Sequence, residues 1–277
     1  MSITLSKLQL HHLALKTQGF IFWPSPQKII LPSFALMTHG YSASKNDLFS
    51  WASKLCEEGI TVCLFDLPGH YLGGFNDVEK FADFTFAHEL FAQGLENIRK
   101  NFFLRYPLYE HFNDSKKINL ILAGHSLGAL LALKALSLPA FVDYKRLAIA
   151  VGFGHGLSPD TTSHDQVHLF QTPLFKNTLN LRAQLVSPAL CPENIFPWIK
   201  DEKASLELPG ERIHLITGLD DVIVAPDGAE RLKAQLEKKG STVTLERPPK
   251  LPHHEAAAAA THIKSFLRKN NFIEKKQ

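Results

Sequence analysis

Apolar runs of strand length alternate along this chain with longer stretches whose apolar residues recur at helical spacing. Phe20-Ile21-Phe22-Trp23 reads as a strand that stops at Pro24 and Pro26, a turn signal between early strands. Phe34-Ala35-Leu36-Met37-Thr38 reads as a buried strand running into His39-Gly40. Leu48, Trp51, Ala52 and Leu55 mark a helix over residues 45–58. Ile60 to Phe65 is the next strand, and Phe81, Phe84, His88, Phe91, Leu95 and Ile98 predict a long helix over residues 77–104. Strands are expected at Ile118–Ala123, Arg146–Val151, Arg212–Thr217 and Ser241–Leu245. Helices are expected at Ala129–Leu136, Ala229–Lys239 and Glu255–Lys269. This β-α-β-α order predicts an α/β fold, a mainly parallel sheet with helices on both faces. Right-handed crossovers then gather the C-terminal strand ends on one edge, where ligands bind in such sheets.

Residues 152–210 break the alternation, carrying Pro159, Pro173, Pro188, Pro192, Pro197 and Pro209 and no clear strand. They are still rich in Phe, Leu, Ile and Trp, such as Leu157, Leu169, Phe170, Phe196 and Trp198. A structureless loop of that length is improbable in a compact domain, so a small helical insertion is expected. It leaves the sheet after Val151, which places it as a lid over the ligand-binding edge. The expected organisation is a core of residues 1–151 and 211–277, with a lid (cap) at 152–210.

Composition narrows the class. The 277 residues are 45% hydrophobic and 21% charged, ordinary for a globular chain with a sizeable core. A net charge of +3 is too mild to imply nucleic acid or an anionic membrane. Pairs such as Lys116-Lys117, Lys238-Lys239 and Lys275-Lys276 read as solvated loops and ends. Three cysteines, Cys56, Cys63 and Cys191, form no C-x-x-C pair, which suits a reducing compartment, and Cys63 falls in a core strand. No signal-peptide pattern opens the chain and no run reaches transmembrane length, so a cytoplasmic location is expected.

The chemistry is carried by Gly124-His125-Ser126-Leu127-Gly128, set between an apolar strand and a helix-forming run. A G-x-S-x-G motif in that context is a nucleophile elbow. The glycines allow the tight turn, and the helix N-terminus offers unpaired N–H groups beside the serine. A serine hydroxyl needs a base, and the base needs an orienting acid. Acid candidates follow the strand ending at Thr217, namely Asp220 and Asp221, of which at least one serves the turn. Base candidates are His253 and His254, singled out among 14 histidines by their place between the last strand and the last helix. Neither the pair His11-His12 nor His253-His254 has zinc-site spacing, so no metal is expected. An oxyanion hole needs two N–H donors. Leu127 supplies one, and Tyr41, with Ser42 as the alternative, supplies the other, His39 supporting their loop.

Together, His39-Gly40-Tyr41, Asp66-Leu67-Pro68-Gly69-His70, the elbow, Gly218-Leu219-Asp220-Asp221-Val222-Ile223-Val224 and the late histidine resemble the α/β-hydrolase superfamily. The resemblance lies closest to its lid-bearing serine esterase, lipase and thioesterase group and spans residues 34–269. It implies an α/β-hydrolase sheet and selects Asp221 as the acid and His254, opening the last helix, as the base. It gives Asp66 no catalytic role and makes His125 a flanking residue rather than the base. The implied activity is hydrolysis of a small-molecule ester or thioester through an acyl-enzyme, with no metal or organic cofactor required. A peptidase or amidase on the same three residues, and a non-catalytic binding protein, are the alternatives. The insertion matches no particular subfamily pattern, and it is the part that would choose the substrate.

Overall fold

A computed structural model describes residues 3–71, 78–156 and 173–273. The expected residues Leu157, Leu169 and Phe170 of the insertion, the start of the 77–104 helix and the Lys275-Lys276 pair lie outside the described residues. In chain order the strands are β1 (Thr4–His12), β2 (Leu15–Trp23), β3 (Ser33–Thr38), β4 (Thr61–Phe65), β5 (Asn119–His125), β6 (Lys145–Val151), β7 (Arg212–Ile216) and β8 (Thr242–Glu246). The helices are α1 (Phe49–Glu57), α2 (Phe81–Phe84), α3 (Leu90–Arg105), α4 (Leu127–Ala135), α5 (Pro173–Ala183), α6 (Pro192–Ser205), α7 (Gly228–Lys238) and α8 (Ala260–Lys269).

The eight strands form one sheet in the order β1-β2-β4-β3-β5-β6-β7-β8. The hairpin β1-β2 and the β2-β4 pair are antiparallel, and every other pair is parallel. Strands β3, β4 and β5 are buried at every position, which is why they read as unbroken apolar runs. Successive residues feed opposite faces: Phe34 and Leu36 enter the core beneath α3 and α4, while Ala35 and Met37 enter the core beneath α1 and α8. Strand β1 was not among the expected elements. Its inward residues Leu8 and Leu10 alternate with exposed polar ones, so the signal is short and one-sided.

Register sets the site. Thr38 pairs with Gly124, His125 with Val151, Val151 with Ile216, and Ile216 with Glu246. The loops that leave β3, β5, β6, β7 and β8 therefore open side by side on one edge.

Two expected helices differ in form. The stretch expected as one helix over 77–104 is α2, a short 3-10 turn at Ala87–Glu89, and α3. The break turns the fully buried Phe84 towards the rings of His70 and Trp198, tertiary contacts that outweigh local periodicity. The last helix starts with a 3-10 turn at Ala256–Ala259 rather than at Glu255. Between β6 and β7, the described part of the insertion holds α5 and α6. Ile195 of α6 is fully buried, Trp198 packs edge-on against Phe81 and Phe84, and Lys134 of α4 pairs with Glu202 at 2.6 Å. No helix among the described residues is long and apolar enough to cross a membrane.

Candidate active site

Strand β5 delivers Ser126 at φ 51°, ψ −113°, and α4 begins at the next residue. A non-glycine residue in that conformation costs about 1–3 kcal/mol and persists only where its surroundings fix it. Those surroundings are tight. A side chain at Gly124 would enter the Gly128 carbonyl, and one at Gly128 would enter the carbonyls of Thr38 and His39. Two glycines four residues apart thus let strand, turn and helix close around the serine. The Ser126 N–H donates to Val151 O at 2.9 Å, locking the turn to β6.

Ser126, His253 and Asp221 form one hydrogen-bonded chain. The Ser126 hydroxyl donates to His253 Nε2 at 3.1 Å, and His253 Nδ1–H donates to Asp221 Oδ2 at 2.8 Å. A carboxylate only accepts, so it fixes the tautomer that leaves Nε2 free to accept. Asp221 is buried, which alone would raise its carboxyl. The hydrogen bond and charge of His253, together with the N–H groups of Val224 and Ile223 on Oδ1, outweigh this and hold it below the usual carboxylate range.

The expected base His254 is corrected by this geometry: it is His253 that meets Ser126. His254 is 69% exposed and faces Glu255 at 4.0 Å, whereas His253 is 13% exposed. The physical reason lies in the backbone. Because the last helix begins only at Ala256, both histidines sit in the preceding turn, where adjacent side chains diverge and one alone can point inward. Asp220, the competing acid, is exposed and serves the same loop. Its Oδ1 accepts the Leu251 N–H at 2.7 Å, so it ties down the segment that carries His253. The sequence offered no signal for that tether beyond the double aspartate.

The loop after β3 runs beside the serine: a side chain at Gly40 would lie 3.2 Å from Ser126 Cβ. The first turn of α4 leaves the Leu127 N–H without a carbonyl in its own helix, and Gly40, the residue before Tyr41, brings the loop after β3 up to Ser126. Ser42 has φ 56°. Behind this loop, His39 Nε2 accepts the Leu67 N–H at 2.9 Å. Asp66, fully buried, takes the Lys45 N–H at 2.7 Å and the Lys45 ammonium. Lys45 gave no sign in the sequence of being buried. His125 packs its ring 4.9 Å from that of His253. Among the described residues, no three His, Cys, Asp or Glu side chains gather as a metal site. Cys56, Cys63 and Cys191 are unpaired thiols.

Three buried histidines make the fold acid-sensitive. Burial, with a second histidine beside each, pushes His70 and His125 down to about 3, and burial pushes His214 down to about 4. All three are neutral in the folded chain at neutral pH but take up protons below about 6.5 once unfolded. Stability is therefore full above that value and falls as pH drops towards the folded values. Each should cost on the order of 1 kcal/mol by about pH 5.5. Urea unfolding midpoints at pH 7.5 and 5.5 should show that loss; equal midpoints would contradict it.

A family model described as the alpha/beta hydrolase family matches residues 35–260. A search of curated proteins finds no match. Among solved structures, a Pyrococcus furiosus esterase is 17% identical at a TM-score of 0.59, covering 96% of this chain and 90% of that one. A thermostable carboxyl esterase from Bacillus coagulans, solved with glycerol, is 15% identical at 0.61, covering 98% and 99%. A Xanthomonas campestris protein described as a serine hydrolase without a lid is 16% identical at 0.56, covering 100% and 99%. At these identities the structures show a shared fold. The family match runs from within β3 to the first residue of α8, so the chain belongs to the alpha/beta hydrolase family.

Proposed function

We propose that this protein is a serine hydrolase that cleaves a carboxylic ester or thioester of a small molecule through an acyl-enzyme. The observation that carries this is the continuous hydrogen-bonded chain from Ser126 through His253 to Asp221 at the C-terminal edge of the sheet. Ser126 Oγ attacks the carbonyl carbon while His253 Nε2 takes its proton. Asp221 holds the tautomer and stabilises the imidazolium. The N–H groups of Leu127 and Tyr41 receive the charge that develops on the carbonyl oxygen. His253 returns the proton to the leaving alcohol or thiol, then draws one from the water that attacks the acyl-enzyme and passes it to Ser126 Oγ as the carboxylic acid leaves.

The insertion supports a lid-like role. Tyr41 meets Leu190 and Phe196, and His70 pairs with Val186, so α6 and the segment before it stand next to the loop after β3 and to His70. Phe196, edge-on to Tyr41 beside that loop, favours an acyl or aromatic group on the substrate.

A panel of p-nitrophenyl esters and acyl-CoA thioesters, run on the wild type and on Ser126→Ala, tests the activity. Turnover of at least one substrate by the wild type alone is the expected result. Equal turnover by both proteins would remove the serine mechanism.

A further inference from the structure

We infer that the Tyr41 side chain is a positioning residue that ties the oxyanion loop to the insertion, so that the segment before α6 sets the aim of the Tyr41 N–H. This rests on Tyr41 being an oxyanion donor. The loop after β3 is anchored to the core at its two ends. His39 holds the Leu67 N–H at one end, and Lys45 is bound through its N–H and ammonium to Asp66 at the other. Between these anchors sits Ser42 at φ 56°, a left-handed conformation that a non-glycine residue keeps only when neighbours over-determine it. The loop's own bond there is a long one, Ala43 N–H to Gly40 O at 3.3 Å.

The middle of the loop is held instead from the insertion. The Tyr41 hydroxyl donates to the carbonyl of Leu190 at 3.0 Å, across 149 residues of sequence. Its ring stands edge-on to Phe196 at 5.3 Å and to His70 at 5.8 Å. The acceptor is itself fixed. Leu190 is fully buried, its N–H donates to Ser187 O at 2.8 Å, and Ser187 N–H donates to Gly69 O at 2.7 Å. Val186 forms a bridge with His70. On the proposed reading Tyr41 thus carries both the tether and the second oxyanion N–H, so the phenol's bond restrains the backbone that aims that N–H. Burial, with Cys191 and Glu193 beside it, raises the phenol, which remains a donor across the working pH range.

Tyr41→Phe removes the hydroxyl and keeps the ring and the N–H. It should lower kcat about tenfold with KM within about twofold, because a small misplacement of a catalytic group is felt mainly in the transition state. Affinity for a trifluoromethyl ketone, which forms the oxyanion on Ser126, should fall in parallel. Hydrogen exchange of residues 39–45 should quicken while exchange across β5 and α4 does not change. Unchanged exchange in the loop would overturn the tether. Faster exchange with unchanged kcat would overturn the positioning role. Hydrolysis that persists in Ser126→Ala would overturn the hydrolase reading and the aim of the N–H with it. Exchange needs no turnover, so it would still tell that failure from failure of the tether.

Discussion

Alanine at His253 is expected to lower kcat for an ester substrate about 10⁶-fold, as is alanine at Ser126, while alanine at His254 leaves it within about twofold. The two residues of the first pair act as a unit. Without the imidazole, the hydroxyl has no acceptor for its proton; without the hydroxyl, the imidazole has nothing to activate. The double variant should therefore be little worse than either single one. What survives should come from the proposed oxyanion donors and substrate binding. His254 is exposed and, among the described residues, pairs with Glu255, so its loss removes nothing from the hydrogen-bonded chain. Steady-state kinetics on the wild type and these four variants check this, and a collapse of activity in His254→Ala alone would reverse the assignment.

Asparagine at Asp221 is expected to cost about 10⁴-fold in kcat, and asparagine at Asp220 less than about threefold. The carboxylate of Asp221 accepts from His253 and from two backbone N–H groups. An amide in its place can present its NH₂ to His253 Nδ1. That stabilises the wrong tautomer and leaves Nε2 protonated, unable to accept from Ser126. Asp220 accepts a single N–H from Leu251, a role that an asparagine oxygen can also fill. Substrate KM should change little in either variant. Comparable losses at both positions would show that the loop, rather than the carboxylate at Asp221, was being perturbed.

Much of this site was legible in the chain because its parts are local. Gly124 to Gly128 lies between a strand and a helix that each declare themselves by pattern. The double aspartate and double histidine were legible as segments and ambiguous as residues. The resemblance to the family's turn selected Asp221, and it is Asp221 Oδ2 that accepts from His253. For the histidines, the resemblance, in which the base opens the last helix, selected His254, but that helix starts at Ala256 and the turn faces the other ring inward. Long-range pairings left no trace in the sequence. The burial of Lys45 against Asp66 and the bond from Tyr41 to Leu190 depend on how distant loops meet on the sheet edge. Strand β1 escaped notice because two inward leucines give too short an alternation.

The most direct measurement is labelling with a fluorophosphonate, followed by mass spectrometry of the peptides. If Ser126 is the nucleophile activated by His253, the wild type takes up one phosphonyl group per chain on the peptide containing Ser126. Ser126→Ala then takes up none, and His253→Ala reacts far more slowly. A wild type that stays unlabelled, or a label that appears on another residue and persists in Ser126→Ala, would contradict the serine mechanism.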